Sequence, residues 1–287
     1  MQQLEEYAVG IQWNAQADPT RTTTVVARYE RDLVRRIREL QSAIVEYVVT
    51  NNALQINAPL GKGRSPEKVG KFLKWLQHQQ AAKLLEVQEG TSLTSAASKS
   101  WQNIYIRSAY QKGIARSASQ LKKGGVKVEK RWVDAAFFRP IHADALGLIY
   151  TRAYSNLKGI TTAMDAKLSQ TLTQAMADGK GLVETGKLLS EATELSIPRA
   201  RKIARTEVIG AHAEATLNSF EEAGIEGVEL LSEFTTAGDN RVCYRCKALE
   251  GKKYTVDEAR GIIPVHPNCR CAWLPVVDES SRGLELR

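Results

Sequence analysis

The stretch from Asp239 to Trp273 reads DNRVCYRCKALEGKKYTVDEARGIIPVHPNCRCAW, and it holds all 4 cysteines of the 287-residue chain. Cys243 and Cys246 form a CxxC, and His266, Cys269 and Cys271 follow after one excursion of chain as HPNCRC. Two thiolates at CxxC spacing grip one ion from a single turn, and tetrahedral zinc wants four sulfur or nitrogen donors in such paired arrangements. The candidate ligands are therefore four of Cys243, Cys246, His266, Cys269 and Cys271. The spacing does not choose between the CxC and the HxxC pair as the second half. A structural zinc would supply folding energy to a segment too small to hold itself. Two further readings stay open: a pair of disulfides, for which four cysteines allow three connectivities, and reduced thiols packed without metal. A hydrolytic metal needs an open position and a general base. Asp257 and Glu258 are the nearby carboxylates, neither in an HExxH-like frame, and Pro267 after His266 suits a rigid turn.

Outward from the cysteines the grammar is that of short strands. GVELLSEFTT before them, GKKYTV between them and CRCAWLPVV after them are β-rich and bounded by Gly, Asp and Asn. They predict a small antiparallel sheet with the cysteines at its turns. The closing DESSRGLELR has nothing to bury and reads as a loose tail.

Before Gly224 the pattern is helical. Val26, Tyr29, Leu33, Ile37, Leu40, Ile44 and Tyr47 recur at steps of three and four and predict a long amphipathic helix running to Asn51-Asn52. NNALQINAPLGKGRSPEK reads as a loop, and Ser65-Pro66-Glu67 opens the next helix. Residues 90–99, GTSLTSAASK, read as a connection. A helix from Trp101 ends at Gly124-Gly125, and VKVEKRWV follows as a short strand. Separate helices are expected over Ala143–Leu157, through Met164 to Met176, and over Gly181–Thr193, before a long one from Ser196 to Gly224. His78, His142 and His212 read as surface or packing residues, and Met164 and Met176 as core filler. The predicted class is α+β: a mostly helical first three quarters and a small antiparallel β module at the end, braced by a Cys/His cluster. Its divisions are 1–125 (helical, partner-facing), 126–180 (helical connector), 181–277 (the cysteine-bearing domain) and 278–287 (flexible tail).

Composition narrows the partners. A hydrophobic content of 43% with 25% charged residues excludes wholesale disorder, and no apolar run approaches the length of a bilayer span. The opening MQQLEEYAVGIQWNAQ lacks the order of a secretory signal, so a reducing cytoplasm is expected at synthesis. A net charge of +8 favours a polyanionic neighbour, nucleic acid first. QLKKGGVKVEKRW concentrates Lys122, Lys123, Lys127, Lys130 and Arg131 around a Gly-Gly, which suits phosphate contacts without sequence reading. Arg21, Arg28, Arg31, Arg35 and Arg36 form a second basic face.

IARTE (Ile203–Glu207), a helix, then DNRVCYRC, GKKY and PVHPNCRCAWLPV resemble the C-terminal region of the phage Mu F-like minor head proteins, which are head morphogenesis proteins. The resemblance covers Leu182 to Val277. It falls on Arg205, Thr206, Glu207, Asp239, Arg241, Cys243, Cys246, Tyr254, His266, Pro267, Cys269, Arg270 and Cys271. It implies a virion component that joins the procapsid near the portal vertex, lies in the head interior beside packaged DNA, and has no enzyme activity. Portal or major capsid protein would be its partner, double-stranded DNA its non-specific neighbour, and the N-terminal helix a seam for self-association. Arg205 and Glu207, two apart on a helix, face different ways. They are expected to dock the β module, Arg205 on Asp239 or on backbone carbonyls near the cysteine turn, and Glu207 on Arg241 or Arg270. The competing readings are a zinc-dependent, nuclease-like DNA-processing enzyme and a zinc-stabilised DNA-binding regulator. The first lacks clustered acids and histidines, the second a recognition helix beside the cysteines.

Overall fold

The computed structural model describes residues 18–56, 65–87, 91–228 and 230–286. The expected loop after Asn52 lies partly outside the described residues. Helices dominate, in the order α1 (Thr23–Val45), α2 (Pro66–Gln80), α3 (Leu93–Lys99), α4 (Asn103–Lys123), α5 (Lys130–Ala135), α6 (Pro140–Ala177), α7 (Leu182–Glu194) and α8 (Ile197–Ile225). Strand β1 (Lys127–Val128) lies between α4 and α5. After α8 come β2 (Leu230–Thr235), the short helix α9 (Tyr244–Lys247), β3 (Lys253–Tyr254), the short helix α10 (Val256–Ala259), β4 (Ala272–Val277) and β5 (Glu285–Leu286). The chain divides into two compact units, one of 1–28, 104–149 and 205–287, the other of 29–103 and 150–204.

In the second unit the α1 stripe is the core. Tyr29, Leu33, Ile37, Leu40 and Ile44 are each 0% exposed, so this apolar stripe is covered by the chain itself. The Tyr29 hydroxyl donates to Gln102 Oε1 at 2.6 Å, and Arg36 lies 4.1 Å over the Trp101 ring. Tyr47 stacks on Trp75 at 4.0 Å. Residues 93–99, expected as a connection, form a helix: the Ser92 side chain caps it by accepting from Ser95 N–H, and it buries Ala96 and Ala97. Small polar residues favour a connection, yet the alanines among them are the strongest helix formers. The two helices expected between Ala143 and Met176 are one element of 38 residues. Gly159 passes through its middle because a single helix-interior glycine costs only about 1 kcal/mol.

In the first unit a three-stranded antiparallel sheet of order β3-β2-β4 forms the C-terminal module. Its register runs from Leu230↔Val277 to Thr235↔Ala272 on one side and Ser232↔Tyr254 on the other. Ile209, Ala213, Leu217 and Phe220, at steps of four, four and three along α8, pack under Phe234, Trp273, Ala259, Ile263 and the buried cysteines. Trp273 meets Phe234 edge-on at 5.5 Å and Tyr254 at 5.8 Å, the arrangement that aromatic quadrupoles favour. Gly113 of α4 lets that helix approach α8 at backbone contact: a Cβ there would lie 2.6 Å from the His212 carbonyl oxygen.

The stretch read as a loose tail is ordered. Asp278 caps a short turn, and β5 pairs in parallel with β1 through Lys127↔Glu285 and Val128↔Leu286. Leu286 is 0% exposed among Val126, Val128, Trp132 and Val277. The tail thus had one apolar side chain to bury, Leu286, and β1 supplies the ladder beside its pocket. Gly125 starts this strand at φ +98, open to glycine at no steric cost, and its carbonyl accepts from Gly283 N–H at 2.9 Å.

Candidate metal centre

The two halves of the cysteine cluster are placed by turns. Cys243 precedes α9 as its N-cap, its Sγ accepting from Cys246 N–H at 3.5 Å. The HPNC turn is closed by Cys269 N–H to His266 carbonyl at 3.1 Å, with Asn268 at φ +69, a conformation asparagine tolerates. These turns bring the five predicted donors together. His266 Nε2 lies 3.2 Å from Cys243 Sγ and 3.2 Å from Cys246 Sγ. Cys246, Cys269 and Cys271 form a second group, and within each group the donor atoms lie within 4.8 Å of one another. Cys246 belongs to both groups. The inner thiols, Cys246, Cys269 and Cys271, are buried, and Cys243 is partly open. No disulfide joins them in the described residues.

The donor set fits a metal on its own chemistry. His266 Nδ1 lies 2.7 Å from the Pro267 carbonyl. Donating its proton there leaves the Nε2 lone pair aimed at the thiols, the tautomer that metal ligands take. The thiols also restrain one another's charge. A hydrogen bond from Cys271 holds the Cys269 thiol down to about 5 and keeps the proton on Cys271, whose pKa is raised. Burial pushes Cys246 up to about 12, and the backbone N–H of Cys246 lowers Cys243. Packed this tightly, the thiols cannot all ionise unless a cation joins them. These Cys/His groups could hold a metal ion, and a sulfur-rich donor set is the kind zinc selects.

Polar pairs fix the turns from outside. Arg270, between Cys269 and Cys271, forks onto Asp239 with Nη1 at 2.7 Å and Nη2 at 2.6 Å, and Arg241 reaches the same carboxylate at 3.2 Å and 3.1 Å. The two guanidinium groups hold the Asp239 carboxyl well below the usual carboxylate range. The expected partner of Asp239 was Arg205. Arg205 donates to Asn268 Oδ1 at 3.3 Å, within the cysteine turn that was its other expected neighbour. Glu207 is 2% exposed on α8.

Sequence reasoning missed the residue that carries the ionic contact between module and helix. Arg260, after α10, donates to Glu214 Oε1 at 2.7 Å and Asn218 Oδ1 at 2.9 Å, and also pairs with Glu221. A signal for it existed: Glu214, Asn218 and Glu221 are spaced four and three apart, one polar stripe on one face of α8. Asn218 continues inward, donating to the Tyr110 hydroxyl at 2.8 Å, which lies 2.9 Å from His142 Nδ1. Burial raises the Tyr110 pKa. His142 Nε2 is 3.5 Å from Glu222, itself paired with Arg139 at 2.6 Å.

The predicted DNA-contacting residues Lys122, Lys123, Lys127, Lys130 and Arg131 are all exposed. Their charge is partly answered: Lys130 pairs with Asp134 at 2.6 Å and Arg131 with Glu129. In the second basic face Arg35 pairs with Asp32 and Glu39, and Arg36 with Glu86. No described helix is long and apolar enough to cross a membrane.

A helix-backed β module whose turns converge cysteines and a histidine defines a class of small, side-chain-braced domain. Residues 166–274 match the Phage Mu protein F like protein family, so this part of the chain is similar to that family. The matched span begins in α6 and ends in β4. Among curated proteins, NAD(+)--arginine ADP-ribosyltransferase EFV of Enterococcus faecalis is 29% identical over 120 residues. That match covers 37% of this chain but only 25% of the relative. No solved structure matches.

Proposed function

We propose that this chain is a minor head protein of a tailed bacteriophage: a structural virion component that acts in head assembly near the portal vertex. In this reading it sits in the head interior, engages portal or major capsid protein through its helices, and rests against packaged duplex DNA without reading sequence. A zinc ion held by four of Cys243, Cys246, His266, Cys269 and Cys271 stabilises its module. The observation that carries the reading is the family match, whose span contains α7, α8 and the whole Cys/His cluster. Mass-spectrometric counting on purified particles tests it. A few to several tens of copies per virion are expected, and absence from the particle overturns it. Elemental analysis of freshly purified protein tests the ion, with one zinc per chain expected.

The module is read as non-catalytic. Arg241, Arg260 and Arg270 are engaged with carboxylates and His266 lies against thiols, so these groups serve structure in this reading. The Enterococcus relative is named as an ADP-ribosyltransferase, and the match spans a quarter of it. That activity is therefore a property of a protein mostly unlike this chain. Release of nicotinamide from NAD by the purified chain would reverse the reading.

A further inference from the structure

Two stretches of thirteen residues carry the same charge, five basic residues against one acid, each giving a net of +4 within a chain of net +8. They are Gln120–Trp132 and Arg241–Lys253. Their surroundings differ. In the first, Lys130 and Arg131 are spent on Asp134 and Glu129, and Lys127 stands across the β1–β5 ladder from Glu285. In the second, Glu250 is turned back onto β2, accepting from Thr236 N–H at 2.8 Å and from the Thr235 hydroxyl at 3.3 Å. Arg241 is held by Asp239. That leaves Arg245, Lys247 and Lys252 exposed, with no acidic partner among the described residues. Tyr244 stands beside them at 81% exposure.

An aromatic ring left in water next to unpaired cations, on a turn held rigid by its neighbouring cysteines, is a surface prepared for a polyanion. We propose that the outer face of the cysteine knuckle, Tyr244, Arg245 and Lys247 with Lys252 alongside, docks on the phosphate backbone of duplex DNA. This rests on the DNA contact in the reading above and moves it from Gln120–Trp132 to the knuckle. The cations answer phosphate charge, and the Tyr244 hydroxyl donates to a phosphate oxygen while its ring lies against the sugar. Tyr244 and Lys247 are three apart on α9 and share a side of it. The contact reads charge and spacing, not sequence.

The test is fluorescence anisotropy of the full, metal-replete chain with a short labelled duplex, across a salt series. The variants are Tyr244→Ala/Arg245→Gln/Lys247→Gln and the milder Arg245→Gln/Lys247→Gln, both compared with Lys122→Gln/Lys123→Gln/Lys127→Gln. Loss of two phosphate contacts makes the salt slope shallower by about 2, and affinity near 0.1 M salt should fall about tenfold or more. All changed side chains are exposed, so zinc content and melting temperature should hold. If the knuckle variants bind as the parent does while the Lys122 set loses affinity, the location is overturned and DNA contact stands. If the parent chain does not bind duplex at all, both fall. If the knuckle variants bind DNA normally yet fail to enter heads, the surface faces a protein, and the proposal fails.

Discussion

The C-terminal module and the helical unit of 29–103 and 150–204 both contain an aromatic core, but they are closed by different forces. In the helices a stripe of five fully buried apolar residues on α1 and the Tyr47–Trp75 stack close the core, and ionic pairs such as Arg35–Glu39 sit at the rim. In the module the strands are two and six residues long, and the closure is made by sulfur, imidazole and guanidinium groups. A three-stranded sheet this small buries too little apolar surface to fix its own turns. The difference teaches that apolar area can be replaced by directional side-chain chemistry, at the cost of sensitivity to metal, acid and salt.

Removing a donor shared by the two Cys/His groups should break the comparison most sharply. Cys246→Ser takes a donor from both groups at once. In isolated zinc modules the ion contributes about 10–16 kcal/mol, so loss of the module's cooperative unfolding is expected. Melting followed by Trp273 fluorescence with and without a chelator checks it; chelator-insensitive melting would mean the brace is not metal. On the other side, Phe72→Ala should cost about 3–5 kcal/mol in urea unfolding, because the ring is fully buried, and chelator should leave that loss unchanged.

Acid gives a third, smaller effect on the α8 side. Burial lowers the His212 pKa from 6.5 to about 4, against the weaker pull of Asp18, while Arg116 and Lys112 push the same way as burial. Neither ring nitrogen has a hydrogen-bond partner among the described residues. Because the folded value lies below the unfolded one, the unfolded chain binds more protons between them. The contribution is therefore complete above pH 6.5 and is lost as pH falls towards 4, amounting to about 3 kcal/mol. Urea midpoints of the parent and His212→Leu across that window check it; the variant should show the shallower fall. Least of all, Arg260→Ala should cost about 1 kcal/mol, since Arg260, Glu214 and Glu221 are each about a third exposed and screened by water. Its signature is a loss that shrinks at high salt.

What could be read from the sequence follows the same division. The metal-type spacing, the three strands and the long α1 stripe were legible because each rests on local periodicity or on residue chemistry at short range. The join of α6 was not, because Gly159 looks like a stop unless its surroundings are known. The helix Leu93–Lys99 was hidden by serine and threonine content that helix capping, not loop formation, explains. Arg260 was not legible because its partners lie 39 to 46 positions away, and a lone arginine after a short helix carries no pattern. The site itself was legible as a set of five donors, but not the sharing of Cys246 between two groups, which depends on how two turns meet.

The β1–β5 ladder has a consequence for the order of assembly. It joins Lys127 to Glu285, 158 positions apart, through two residue pairs. Closing so long a loop has a high entropic cost for so few bonds, so the ladder should be among the last contacts to form. Until it does, the slot that Leu286 fills beside Val126 and Val128 stays open to water, an adhesive spot on an otherwise finished surface.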